Sequence, residues 1–230
     1  AKGAMETAYS VSNNNTFVTL RYVSLLLDLQ DNNKAASLLT SIPNTQRQNP
    51  VYFFLKGRLA ANNGNSDSAV KHYQEALNVD PRFAQAFIAI YNYALNEEHV
   101  ETFLNTARGL VKKDDSNLLA KNLLAQYLFF IREFDESIQL YQSLIEEPGL
   151  LNPAEAHNRL ALMTMDRSLE KAKAYAVKAY ELQPTSARVL DTFGHIKALE
   201  GEFDRKIYCY LSATKNEIKI LFVDNGLGIP

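Results

Sequence analysis

The stretch Pro50 to Pro81, PVYFFLKGRLAANNGNSDSAVKHYQEALNVDP, decides the fold. An apolar helical run carrying Gly57 is broken at Asn62-Asn63-Gly64-Asn65. A second run follows with Ala69, Tyr73 and Ala76, and Asp80-Pro81 closes it. Small residues let two helices lie close, a Gly/Asn cluster turns the chain, and proline stops a helix because it lacks the backbone donor. The stretch predicts one helical hairpin.

Phased against this hairpin, the rest of the chain repeats it. The position of Ala69 in the second helix recurs at Ala35, Phe103, Ser137, Ala172 and Lys206, in steps of 34, 34, 34, 35 and 34 residues counted from Ala35. The end of that helix recurs at Ile42, Ala76, Leu110, Leu144, Ala179 and Ala213. The small position of the first helix recurs at Val23, Gly57, Tyr91, Ala125, Ala161 and Gly194. A period in this range means stacked supersecondary units. Six hairpins cover residues 16–220, as 16–49, 50–83, 84–117, 118–153, 154–186 and 187–220. Residues 1–15 read as the second helix of a preceding repeat and its turn, with Ala1 and Ala8 in register, so the chain is expected to begin within an array. Residues 221–230 fall outside the pattern.

The departures have physical readings. In the third repeat, bulky Phe103 then small Ala107 reverses the usual order and fills a similar volume from a neighbouring turn. Lys206 replaces a small residue and is read as laying its stem along the helix with its charge in water. The fourth repeat carries extra length in EEPGLLNP, Glu146 to Pro153, where Asn152 is expected to cap the next helix with Pro153 at its first position. Beyond Asn216, Ile218, Ile220, Leu221, Phe222 and Val223 favour strand, and Asp224 to Pro230 reads as a breaker.

A 34-residue helix-turn-helix with small residues at the crossing, an aromatic in the second helix and a closing proline resembles the tetratricopeptide repeat, or TPR. Gly57, Gly64, Ala69, Tyr73, Ala76 and Pro81 carry the resemblance in the second repeat. Gly194, Gly201, Phe203, Tyr210 and Ala213 carry it in the last. The resemblance implies an all-α, right-handed solenoid acting as a protein-binding scaffold. Within Ala154 to Phe203, the patterns NxLA, AxxxAxxAxxLxP, SxxVLDTxG and GxF also resemble bacterial TPR lipoproteins of the PEP-CTERM/exosortase type. That resemblance implies a periplasmic or cell-envelope location and a role in exopolysaccharide or protein export. The tail DNGLGIP is similar to the nucleotide-binding box of GHKL-type ATPases. It stands without the rest of that domain, and it is read as a loose or capping tail.

Composition narrows the function classes. The 230 residues are 47% hydrophobic, enough for a sizeable core. Lys+Arg 24 against Asp+Glu 26 gives a net charge of -2, and nucleic acid is not an expected partner. No apolar run is long enough to span a bilayer, so this segment is not expected to insert. His72, His99, His157 and His195 are dispersed, and Cys209 stands alone, so no metal site, cofactor or catalytic residue is expected. GxxxxGK[ST], GxSxG and GxGxxG are all missing, and the chain is read as not an enzyme.

If the hairpins stack as in TPR proteins, their first helices line a concave face that receives peptides. The positions flanking each crossing name the candidate groove: Phe54, Arg58, Asn62, Asn92, Asn96, Asn122, Gln126, Asn158, Asp191 and His195. This lining is rich in amides, which offer both donor and acceptor to a peptide backbone. It includes Arg58 but no lysine, which disfavours the carboxylate clamp by which some TPR domains hold acidic chaperone tails. The reading is a scaffold for a protein or peptide segment. The alternatives are a regulatory or enzyme-associated region of a larger protein, and a self-assembly module pairing through exposed solenoid ends.

Overall fold

The structure, a computed structural model, describes residues 2–13, 15–200, 207–214 and 217–224. Among them are twelve α-helices: α1 Lys2–Val11, α2 Thr16–Asp28, α3 Asn32–Ser41, α4 Pro50–Asn62, α5 Ser66–Val79, α6 Ala84–Leu95, α7 Val100–Lys113, α8 Leu118–Phe130, α9 Phe134–Ile145, α10 Pro153–Thr164, α11 Leu169–Leu182 and α12 Ala187–Leu199. Helices of this length are marginal in isolation, so packing between them has to supply their stability. No helix is long and apolar enough to cross a membrane among the described residues.

The helix ends follow from local chemistry. Asn15, Asn49, Asn65 and Asn152 each cap a helix by accepting hydrogen bonds from first-turn backbone N–H groups. Asn152 Oδ1 accepts from Glu155 N at 3.1 Å, with Pro153 at the start of α10, as the sequence predicts. The turns inside three hairpins share one device at matching register: Gln30, Gly64 and Arg132 adopt φ of 60°, 75° and 66°. Only at Gly64 does the residue type suit that conformation without strain.

The chain forms two compact units, Ala1–Tyr127 and Leu128–Pro230, with the boundary inside α8. In the N-terminal unit, Val23, Leu26, Leu27, Ala35, Leu39 and Leu55 make a core of nearly inaccessible side chains. At the next crossing Gly57 is required: a Cβ there would fall 2.4 Å from Tyr73 Cε1 and 3.0 Å from the Ala69 carbonyl oxygen. The reversed Phe103–Ala107 pair is fully buried. Phe103 lies among Phe87, Tyr91 and Tyr127, with ring centroids 5.7, 5.4 and 5.1 Å away.

In the C-terminal unit, Ala161, Ala172, Ala176 and Ile196 form the core of α10, α11 and α12. The Tyr180 and Phe193 rings stack at 4.9 Å across α11 and α12. The last expected hairpin is corrected here. In place of a second helix through Ala213, Ile207–Thr214 and Glu217–Asp224 form antiparallel strands β1 and β2, pairing Ile207 with Asp224 and Thr214 with Glu217. Ile207, Tyr208, Tyr210, Ile218, Ile220, Phe222 and Val223 prefer a pleated backbone, and that preference overrides the repeat register. Gly201, Phe203, Lys206 and tail residues 225–230 lie outside the described residues.

Candidate functional site

In the N-terminal unit the candidate positions fall on α2, α4, α6 and α8, one repeat apart: Ser24, Arg58, Asn92 and Gln126 form one series, and Leu20, Phe54, Ile88 and Asn122 another. The structure divides them into two groups. The first is occupied within the protein. Arg58 Nη1 donates to Ser24 Oγ at 3.1 Å, and Arg58 Nη2 donates to Asp28 Oδ1 at 2.6 Å. Asn62 Nδ2 donates to the Leu27 carbonyl and to Asn32 Oδ1, both at 3.1 Å, and Asn32 Nδ2 donates to Asn63 Oδ1 at 3.1 Å. These bonds seam the second hairpin to the first. Phe54 packs its ring against Tyr73 at 5.6 Å and Phe83 at 5.7 Å and is half-buried.

The second group is open. Asn92 and Asn96 are exposed on α6, while Asn122 and Gln126 are half-buried on α8. The side-chain amides of Asn92, Asn122 and Gln126 make no hydrogen bond among the described residues; Asn96 Nδ2 turns back to the Asn92 carbonyl at 3.1 Å. Ile88 and Leu95 flank Asn92 along the same helix, each 41% exposed. Positions i, i+4 and i+7 share a helix face, so α6 presents an apolar, amide, apolar stripe.

The C-terminal unit carries the remaining candidates. Asp191 and His195 are exposed on α12. Asn158 is corrected: at 3% exposure it is buried where α10 packs between its neighbours, and its Oδ1 finds no hydrogen-bond partner, so it is no surface contact. Beside it, burial lowers the His157 pKa, the Lys178 charge adding to the effect. Arg159 Nε donates to Glu155 Oε1 at 2.9 Å, and Arg188 Nη1 approaches the same oxygen at 3.4 Å. No group of three metal-ligating side chains occurs among the described residues.

Ser24 and Asp28, which hold Arg58, stand outside the ten named groove candidates. The signal was present, since a 34-residue step puts Ser24 in register with Arg58. Lys121 was also missed: in the first turn of α8, its side chain is 2% exposed and its Nζ lies 2.9 Å from Asp115 Oδ1.

Residues 51–83 match the tetratricopeptide repeat family. That stretch is a tetratricopeptide repeat. The chain is 26% identical over 86 residues to the DnaJ homolog subfamily C member 7 homolog of Dictyostelium discoideum, covering 37% of this chain and 16% of that protein. Among solved structures it is similar to the C-terminal part of a TPR repeat-containing protein from Cytophaga hutchinsonii, with a TM-score of 0.66, 15% identity, and coverage of 88% of this chain and 81% of that one. It is also similar to YrrB, a TPR protein described as having an unusual peptide-binding site, at a TM-score of 0.55 and 15% identity over 83% of this chain and 98% of that one. Yeast Tom70 aligns at a TM-score of 0.57 and 14% identity, over 87% of this chain and 43% of its own. These likenesses establish the helical repeat fold shared by TPR proteins.

Proposed function

We propose that the chain is a non-catalytic interaction scaffold that holds an extended peptide segment of a partner protein along the first-helix face of its N-terminal unit, at α6 and α8. The observation that carries this reading is the set of uncommitted amides at Asn92, Asn122 and Gln126 beside exposed Ile88 and Leu95. A side-chain amide presents donor and acceptor together and so matches a peptide unit, while Ile88 and Leu95 offer apolar contact to alternate side chains. Arg58 and Asn62, already bonded to the preceding hairpin, mark where the open face ends.

The finer placement, in export or polymer assembly at a bacterial envelope, is a proposal supported by the resemblance of residues 154–203 alone. Fractionation of the native organism tests it: recovery in the envelope supports the placement, and a purely cytosolic pool refutes it. Selection from a displayed random peptide library tests the scaffold reading. The wild-type chain enriches defined segments, and the Asn92→Ala, Asn122→Ala, Gln126→Ala triple variant loses them. No enrichment by the wild-type chain would sink the reading.

A further inference from the structure

We infer that Asp28 determines which peptides this face accepts: by holding Arg58 in an ion pair it keeps the face neutral, so that the occupant is an uncharged segment and acidic segments are refused. The inference rests on the peptide-binding reading above and adds the chemistry of the partner.

In the register of Ser24 and Arg58 and one turn to either side of it, on α2, α4, α6 and α8 within the N-terminal unit, Arg58 is the cation and Asp28 the anion; Arg21, Lys56 and Lys121 lie at other positions of these helices. A guanidinium on a peptide-binding face normally invites a carboxylate, because its planar fork matches two carboxylate oxygens. Here the fork is engaged. Nη2 lies 2.6 Å from Asp28 Oδ1, and Nη1 lies 3.1 Å from Ser24 Oγ. The Arg58 side chain is 25% exposed and that of Asp28 58%, so the carboxylate stands on the solvent side of the cation. An incoming acidic group meets a like charge first and finds one donor of each terminal nitrogen already taken. The neighbouring uncommitted groups are neutral amides and aliphatic side chains, which recognise backbone and apolar side chains without regard to charge. Asp28 is the last residue of α2 and exposed, so Asp28→Asn changes charge with little demand on packing.

The test is calorimetric titration of acetyl-hexaglutamate, with its free C-terminal carboxylate, into the full chain at low salt. The wild type is expected to give no measurable binding. Asp28→Asn is expected to gain at least tenfold in affinity, a gain that added salt weakens and that the double variant Asp28→Asn, Arg58→Gln abolishes. Asp28→Ser provides an independent second variant, and circular dichroism verifies each fold. Equal affinity in wild type and Asp28→Asn, or a gain that survives Arg58→Gln, overturns the inference. So does enrichment of acidic peptides by the wild-type chain in the library selection, an outcome that leaves the scaffold reading standing. Absence of any library enrichment would strike the scaffold reading instead, while the hexaglutamate comparison still decides the role of Asp28.

Discussion

At Gly57 the crossing of α4 and α5 leaves no room for a methyl group, since Tyr73 fills the space a Cβ would take. Gly57→Ala is expected to cost about 1–3 kcal/mol by urea denaturation, the usual range for overpacking. Gly194 holds the equivalent register, yet a Cβ there would meet nothing within 4 Å. Gly194→Ala is therefore expected to be neutral or to stabilise by up to about 1 kcal/mol through helix propensity. Tyr73 adds a pH signature. Burial pushes its hydroxyl up to about 12, with the Tyr93 charge adding and the Arg58 charge opposing. The fold keeps the neutral phenol, so this contribution is full below the ordinary value near 10 and drains away as pH rises towards 12. Denaturation of wild type and Tyr73→Phe across that window checks it: the wild type loses stability more steeply, and parallel curves contradict the assignment. Gly57 was legible in the sequence because a glycine inside a helix needs a packing reason. The burial of Asn158 was not, because register names a helix face and leaves the depth of the neighbouring packing open.

The helical elements were readable because their punctuation is chemical. Asn152 and Pro153 announce the start of α10, and Asn152→Ala is expected to cost about 1 kcal/mol in thermal or chemical denaturation through loss of the Glu155 N–H bond. Turn conformation was partly readable. Gly64 signals a left-handed residue, while Gln30 and Arg132 adopt the same conformation without advertising it. Replacing either by glycine relieves the Cβ strain and is expected to stabilise by about 0.5–1 kcal/mol net of the added chain entropy; unchanged midpoints would contradict this. The register failed at β1 and β2. Counting in steps of 34 carries position along the chain but ignores local preference, and Ile207 to Val223 is rich in residues that favour strand.

Across the whole molecule, the repeat pattern specifies fold far more tightly than function. Solved structures share the fold at 15% identity, which means that the fold tolerates change at most of its positions. Register therefore placed the candidate residues on the right helices but did not distinguish committed from open groups. Arg58 and Asn62 read like Asn92 and Gln126 until their hydrogen bonds to the first hairpin are seen. The most direct test is calorimetric titration of a library-selected peptide into wild type and the Asn92→Ala, Asn122→Ala, Gln126→Ala variant. Alanine favours helix, so the variant should melt as the wild type does. The account predicts at least a tenfold loss of affinity, on the order of three backbone hydrogen bonds at about 0.5–1.5 kcal/mol each. Unchanged affinity in a folded variant would contradict it.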